Sequence, residues 1–221
     1  MSGNVVELPL FPLNVVLFPG VELPLHIFEP RYRLMITECR QEKKPFGVVL
    51  VRPESEALNE EPYPVGTMAE IQEIDQLEDG RFNLIAIGTQ RFRILRQHRN
   101  KPYLSGLVEP YKDIAEPARI LTPYATQAQD LFSSYIEMLL DVVGMKTVQI
   151  ELPTVPEELS YLIAYLLDIS DEQKQHFLEL TSTLQRLQEE ISVLHREIPF
   201  MRQMNLLGKR YLEDPDRSKL N

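Results

Sequence analysis

Glu78-Asp79-Gly80, followed by Phe82-Asn83-Leu84-Ile85-Ala86-Ile87 and then Arg91-Phe92-Arg93-Ile94, sets the structural class of the first half of this chain. Asp-Gly between apolar runs is a hairpin signal, because glycine reaches the positive φ of a tight turn without steric cost. The alternation of Arg91-Phe92-Arg93-Ile94 puts both arginines on one face of a strand and both apolar residues on the other. Further short runs bounded by Pro, Gly or Asp lie upstream, from Val5 to Leu10, Val15 to Phe18 and Phe46 to Val51. One helix interrupts them. Pro30 suits a first-turn position, Tyr32, Leu34, Met35 and Ile36 supply apolar positions, and Lys43-Lys44-Pro45 ends it. Strands paired over long sequence separations around one helix predict a small closed or half-closed barrel.

Proline marks the far boundary of that region. Twelve of the 17 prolines lie at or before Pro117, and an interior proline removes a helical donor and clashes with the preceding turn. Beyond it the apolar period becomes helical. Thr126 to Val143 carries Leu131, Tyr135, Met138, Leu139 and Val142 on one stripe, with Gly144 placed to stop the helix. Thr154 with Glu157, and Ser170 with Gln173, have capping-box spacing. The first box opens a helix with Leu159, Leu162, Ile163, Leu166 and Leu167 on its face. Then Phe177, Leu180, Leu184, Leu187, Ile191, Leu194, Ile198 and Met201 follow the 3-4 spacing of a heptad seam, with Thr181-Ser182-Thr183 a point where one helix can end and another begin. A seam closed inside the chain's own bundle predicts a monomer. A seam offered to a partner helix, on Leu184, Leu187, Ile191 and Leu194, would make a dimer or a docking site. The expected organisation is α+β, with a β-rich domain over 1–118, a helical bundle with a long last helix over 119–207, and a flexible tail over 208–221.

Composition removes several functions. A chain of 221 residues, 43% hydrophobic and 25% charged, buries a core without needing metal or disulfides. Its one cysteine, Cys39, forbids an intramolecular disulfide and, on the apolar-patterned helix after Pro30, is expected to be buried and inert. The net charge of −10 opposes a general affinity for polyanions, so nucleic acid is not an expected partner. No apolar run approaches the roughly 18 residues of a membrane-spanning helix. The proline-broken start with no basic residues does not look like a signal peptide. A cytoplasmic protein with no membrane partner is expected.

Chemistry is sparse. His26, His98, His176 and His195 lie far apart, with no HExxH pair. Gly144-Met145-Lys146-Thr147 lacks the upstream glycine and the Gly-Lys of a phosphate loop, and no Gly-x-Ser-x-Gly or Ser-x-x-Lys occurs. No catalytic residue, metal site or cofactor is expected. The basic cluster Arg91, Arg93, Arg96, His98, Arg99 and Lys101 is expected to be a solvated edge strand, its other use being to track an acidic backbone. The most site-like segment carries Phe11, Phe18, Phe28 and Tyr32 among prolines, with Arg31 beside them. Such aromatics either form a surface that docks extended peptide or fill the barrel core.

These residues also carry a resemblance. Glu7-Leu8-Pro9-Leu10-Phe11-Pro12-Leu13-Asn14-Val15-Val16-Leu17-Phe18-Pro19-Gly20, then Leu23-Pro24-Leu25-His26-Ile27-Phe28-Glu29-Pro30-Arg31-Tyr32-Arg33, resemble the opening of the Lon protease N-terminal domain. Val65-Gly66-Thr67-Met68-Ala69-Glu70-Ile71, Asp79-Gly80 and Gly88 to Ile94 are similar to its central block in order and spacing. Pro156 to Leu159, Glu172 to Gln175 and Leu187 to Glu190 are similar to its later helices, so the resemblance spans about residues 5–200. It implies a six-stranded PUA-like pseudo-barrel followed by a helical bundle, and recognition of protein substrates. In full Lon proteases this region precedes an ATPase module and a Ser-Lys proteolytic domain. The present sequence has neither a nucleotide loop nor that dyad, so it is expected to bind unfolded or tagged polypeptide without cutting it. A separate ATP-dependent protease is a candidate partner in protein quality control. The alternatives are an adaptor that docks a partner through its helical domain, and RNA binding by analogy with other PUA-like folds.

Overall fold

A computed structural model describes residues 5–53, 61–142 and 151–213; the Gly144 helix stop and the motif that follows it lie outside them. Among the described residues the chain forms β1 (Val6–Leu13), β2 (Glu22–Ile27), α1 (Pro30–Glu42), β3 (Phe46–Leu50), β4 (Val65–Gln76), β5 (Phe82–His98) and β6 (Ser105–Pro110). Four helices follow: α2 (Ala118–Val142), α3 (Pro156–Leu166), α4 (Asp171–Glu179) and α5 (Thr183–Glu213). The α+β class is as expected.

The strands make one sheet in the order β2-β5-β4-β3-β1-β6, and a further β5–β6 pairing closes β5, β4, β3, β1 and β6 on themselves. β2 is left outside that ring, paired along one side with β5. The β1–β3 pair is parallel and the other pairs are antiparallel. Leu8, Leu10, Val49, Met68, Phe92, Leu104 and Val108 fill the core. Phe92 points inward from the alternating run, as its pattern predicts. Gly80 has φ 78° and its N–H donates to the Leu77 carbonyl at 2.8 Å, which closes the β4–β5 hairpin. The α1 helix starts on Pro30 and ends at Lys43, whose φ of 50° makes it a left-handed cap.

The strand expected over Val15 to Phe18 is absent. Those residues form an irregular plug, with Val16, Leu17 and Phe18 buried. Thr67 Oγ1 donates to the Leu17 carbonyl at 2.5 Å, and Gly88 admits the plug because a Cβ there would lie 2.3 Å from the Phe18 carbonyl oxygen. Three strands, β2, β4 and β6, were not legible. β2 contains Pro24, tolerated because the strand lies at an edge, and the distal half of β4 is polar and exposed.

By contact the chain divides into two units. One ends at Ile114 and takes in Ala164–Thr181; the other comprises Ala115–Ile163 and the chain from Ser182 onward. The α4 helix therefore groups with the strands, which differs from a bundle running unbroken over 119–207. Its anchors are specific. Gln175 Nε2 donates to the Val65 carbonyl at 3.0 Å, and Tyr111 Oη to the Glu179 carbonyl at 3.0 Å. Arg91 Nη1 donates to the carbonyls of Leu178 and Leu180, each at 2.6 Å. The Ser170–Gln173 capping box opens α4 as predicted.

In the second unit α2 packs along α5. Ala128, Phe132 and Tyr135 are buried on α2, a stripe that includes Phe132 in place of Leu131. The helix starts at Ala118 and carries Pro123 inside it, ahead of the expected start at Thr126. The α3 helix begins on Pro156, two residues past Thr154, where a capping box was expected. The heptad run is not one helix: α4 ends at Glu179, Leu180 is extended, and α5 begins at Thr183. Past Pro199, α5 continues to Glu213, so helix reaches into the segment expected to be tail.

Candidate polypeptide-binding face

The aromatic-proline segment separates into core and surface. Phe18 is fully buried, and Phe11 and Tyr32 are buried with ring centroids 4.2 Å apart. Arg31 lies 4.4 Å over the Tyr32 ring, and its Nε donates to Glu29 at 2.9 Å. Phe28 is 61% exposed and stacks on His26 with centroids 6.1 Å apart. Of the five candidates, Phe28 is the one exposed aromatic, whereas Phe11, Phe18 and Tyr32 fill the core. On α5, Leu187, Ile191 and Leu194 are buried within the chain, and Leu184 is half-buried.

The basic cluster is a solvated edge only in part: β4 and β6 flank β5 at Phe92 and Arg93, while Arg93, Arg96, Arg99 and Lys101 remain exposed. Arg91 is buried, paired with Asp113, and lies 5.2 Å from the Tyr111 ring centroid. Arg93 Nε donates to Glu109 at 3.0 Å. Arg99 meets Glu61 at 3.1 Å and Lys101 meets Glu38 at 2.9 Å. Hydrogen bonds from Tyr103 and Lys101 hold the Glu38 carboxyl below its usual range. A small cleft of about 170 Å³ beside Arg31, Arg99 and Lys101 is thus bordered by cations already matched to carboxylates. Burial pushes the Cys39 thiol up to about 12, so it is no nucleophile near neutral pH.

A larger cleft, of about 580 Å³, lies on β2, β5 and β4. Directly paired residues of neighbouring strands share a face. Pro24, Ile85 and Glu73 form one rung, and His26, Asn83 and Asp75 the next, all lining the cleft. Glu22, Ile87 and Glu70 make a third rung on the same face. Along the strands, Ile85 and Ile87 are a half-buried apolar row on β5, beside an exposed acidic row of Glu70, Glu73 and Asp75 on β4. That row depends on a β-bulge. Residues 70 and 73 would face opposite ways in a regular strand, but the register shift between Ile71 and Glu73 turns both to the same side. None of the nine positions is Lys or Arg. The opposite face is covered, with Phe82, Leu84, Ala86 and Ile27 buried. At the cleft's end His26 Nδ1 lies 2.6 Å from Asn83 Oδ1, which locks the ring that carries Phe28.

In the second unit, a buried polar group links α3 and α5. Arg186 Nε donates to Ser160 Oγ, Ser160 Oγ donates to Glu190 Oε1 at 3.2 Å, and Arg186 lies 4.3 Å from the Tyr161 ring. Burial drives the Glu190 carboxyl well above its ordinary value, against the pull of Arg186 and Ser160. Among the described residues, no group of three His, Cys, Asp or Glu could hold a metal ion, and no helix is long and apolar enough to cross a membrane.

The architecture and sequence match known proteins. The Lon protease of Anaeromyxobacter dehalogenans is 28% identical over 206 residues, covering 90% of this chain and 24% of that one. The chain thus spans about a quarter of that relative's length. The crystal structure of a Lon N-terminal domain protein from Xanthomonas campestris aligns with a TM-score of 0.61 at 27% identity, covering 85% of this chain and 98% of that one. The N-terminal domain of a Mycobacterium avium complex Lon protease shares the fold, with a TM-score of 0.66 at 16% identity over 86% of this chain and 98% of that one. The model of the ATP-dependent protease La (LON) substrate-binding domain covers residues 7–196, and this chain belongs to that family.

Proposed function

We propose that this protein is a non-catalytic recognition module that captures unfolded or tagged polypeptide on the open face of β2, β5 and β4, serving a separate ATP-dependent protease in cytoplasmic quality control. The observation that carries the reading is an apolar row, Ile85 and Ile87 with Pro24 beside it, left open on a sheet whose other face is packed. A folded protein keeps its apolar segments inside, whereas an unfolded one can lay them on this row. Burial there yields about 25 cal/mol per Å² of apolar surface. The edge of β2 adds main-chain groups that an extended segment can use, and Phe28 offers a ring at the margin. Recognition needs no reacting group, in keeping with a thiol and histidines that form no nucleophile–base pair. Burial of Leu187, Ile191 and Leu194 within the chain supports a monomer.

Titration of the purified chain with fluorescent, permanently unfolded α-lactalbumin and with its native form tests this. The unfolded form should bind more tightly, and Ile85→Ser or Phe28→Ser should weaken that binding by roughly 5–30-fold, about 1–2 kcal/mol. Equal affinity for both forms, or wild-type binding by both variants, would remove the open face as the client site.

A further inference from the structure

We infer that the open face selects among unfolded segments by charge, taking extended stretches in which Lys or Arg accompany the apolar residues and rejecting equally apolar stretches that carry Asp or Glu. The geometry is a stripe pattern. Neighbouring strands lie about 4.8 Å apart, so a segment laid along the Ile85–Ile87 row passes within side-chain reach of the acidic row on β4. Glu22 stands on the opposite flank, on β2. None of Glu22, Glu70, Glu73 and Asp75 has an ion pair or side-chain hydrogen bond among the described residues. This contrasts with Arg91 and Arg93 on β5, which are matched within the fold. Three carboxylates on one side of an apolar row, brought together by a bulge, form a surface complementary to alternating apolar and cationic side chains. A segment bearing carboxylates would meet like charge on both flanks.

Selection presupposes that the open face takes clients, as proposed above, and the two can fail separately. Three labelled peptides with the same apolar residues, interspersed with Lys/Arg, Ser or Glu/Asp, are titrated into the full chain and into an E70Q/E73Q/D75N variant, each checked for native melting. Exposed pairs of this kind are individually weak, so the basic peptide should bind roughly 5–50-fold more tightly than the acidic one at low salt. The preference should shrink when salt shortens the Debye length from roughly 10 Å to about 3 Å, and collapse in the triple variant. Equal binding of all three peptides to the wild type overturns charge selection and leaves client binding standing. A preference that persists in the triple variant assigns it to other residues and also overturns the inference. No binding of any peptide overturns both readings.

Discussion

Along its distal half β5 runs inside the closed ring, and two of its charges are consumed there: Arg91 is buried against Asp113 and two carbonyls, and Arg93 meets Glu109. Along Phe82 to Ile87 the same strand is the middle of three, with one face packed and the other open, and the carboxylates beside it have no partner among the described residues. The distal half carries the dense basic cluster, yet Arg91 and Arg93 in it are structural. The Phe82–Ile87 half carries no obvious motif, yet it has the cleft. Charge density in a sequence does not identify a site. What matters is whether the fold has already neutralised that charge, because only an unmatched group has interaction energy left for a ligand.

Removing the buried charge should have the largest effect. Arg91→Met takes the guanidinium from Asp113 and the donors from the Leu178 and Leu180 carbonyls, so it should cost about 3–5 kcal/mol in urea unfolding and loosen α4 first, visible as lost amide-exchange protection over Asp171–Glu179. A loss below about 1 kcal/mol would place Arg91 with ordinary surface pairs and erase the contrast.

The second unit offers an intermediate case, a buried charge that is poorly satisfied. Glu190 Oε2 has no hydrogen-bond partner among the described residues, and its carboxyl is raised well above 4.5 by burial. The folded state therefore holds a proton that the unfolded chain releases. The stabilisation is complete below the unfolded value and is lost as pH climbs through the raised folded one. Helical-unit stability, followed by circular dichroism in urea, should fall as pH rises above the ordinary carboxyl range, and Glu190→Gln should flatten that slope. An identical slope in the variant would mean that Arg186 keeps Glu190 ionised.

The smallest effect belongs to the open row. Glu70, Glu73 and Asp75 are like charges on one strand face, so the E70Q/E73Q/D75N change should leave stability unchanged or raise it by about 0.2–1 kcal/mol. Destabilisation beyond that range would show that these carboxylates hold the sheet, and the division of β5 into structural and open halves would fail.

Signals confined to a few neighbouring residues were readable at once. Pro30 and the apolar spacing behind it place α1, Asp79-Gly80 places the β4–β5 hairpin, Ser170 with Gln173 opens α4, and the change of period near Pro117 separates strands from helices. Each depends on local backbone preference and side-chain periodicity, which need no knowledge of distant partners. The heptad spacing from Phe177 to Met201 runs through the break expected at Thr181-Ser182-Thr183, because two separate helices can each keep 3-4 spacing across an extended Leu180. Among the site candidates, Phe28 stays accessible while Phe11, Phe18 and Tyr32 turn inward, a choice that depends on which way the plug before Gly20 packs. The acidic row could not be read from spacing: residues 70, 73 and 75 share a face only after β4 pairs with β5 and bulges at Gln72. Register between strands and the matching of charges across them are long-range properties, set by which apolar faces must be buried together.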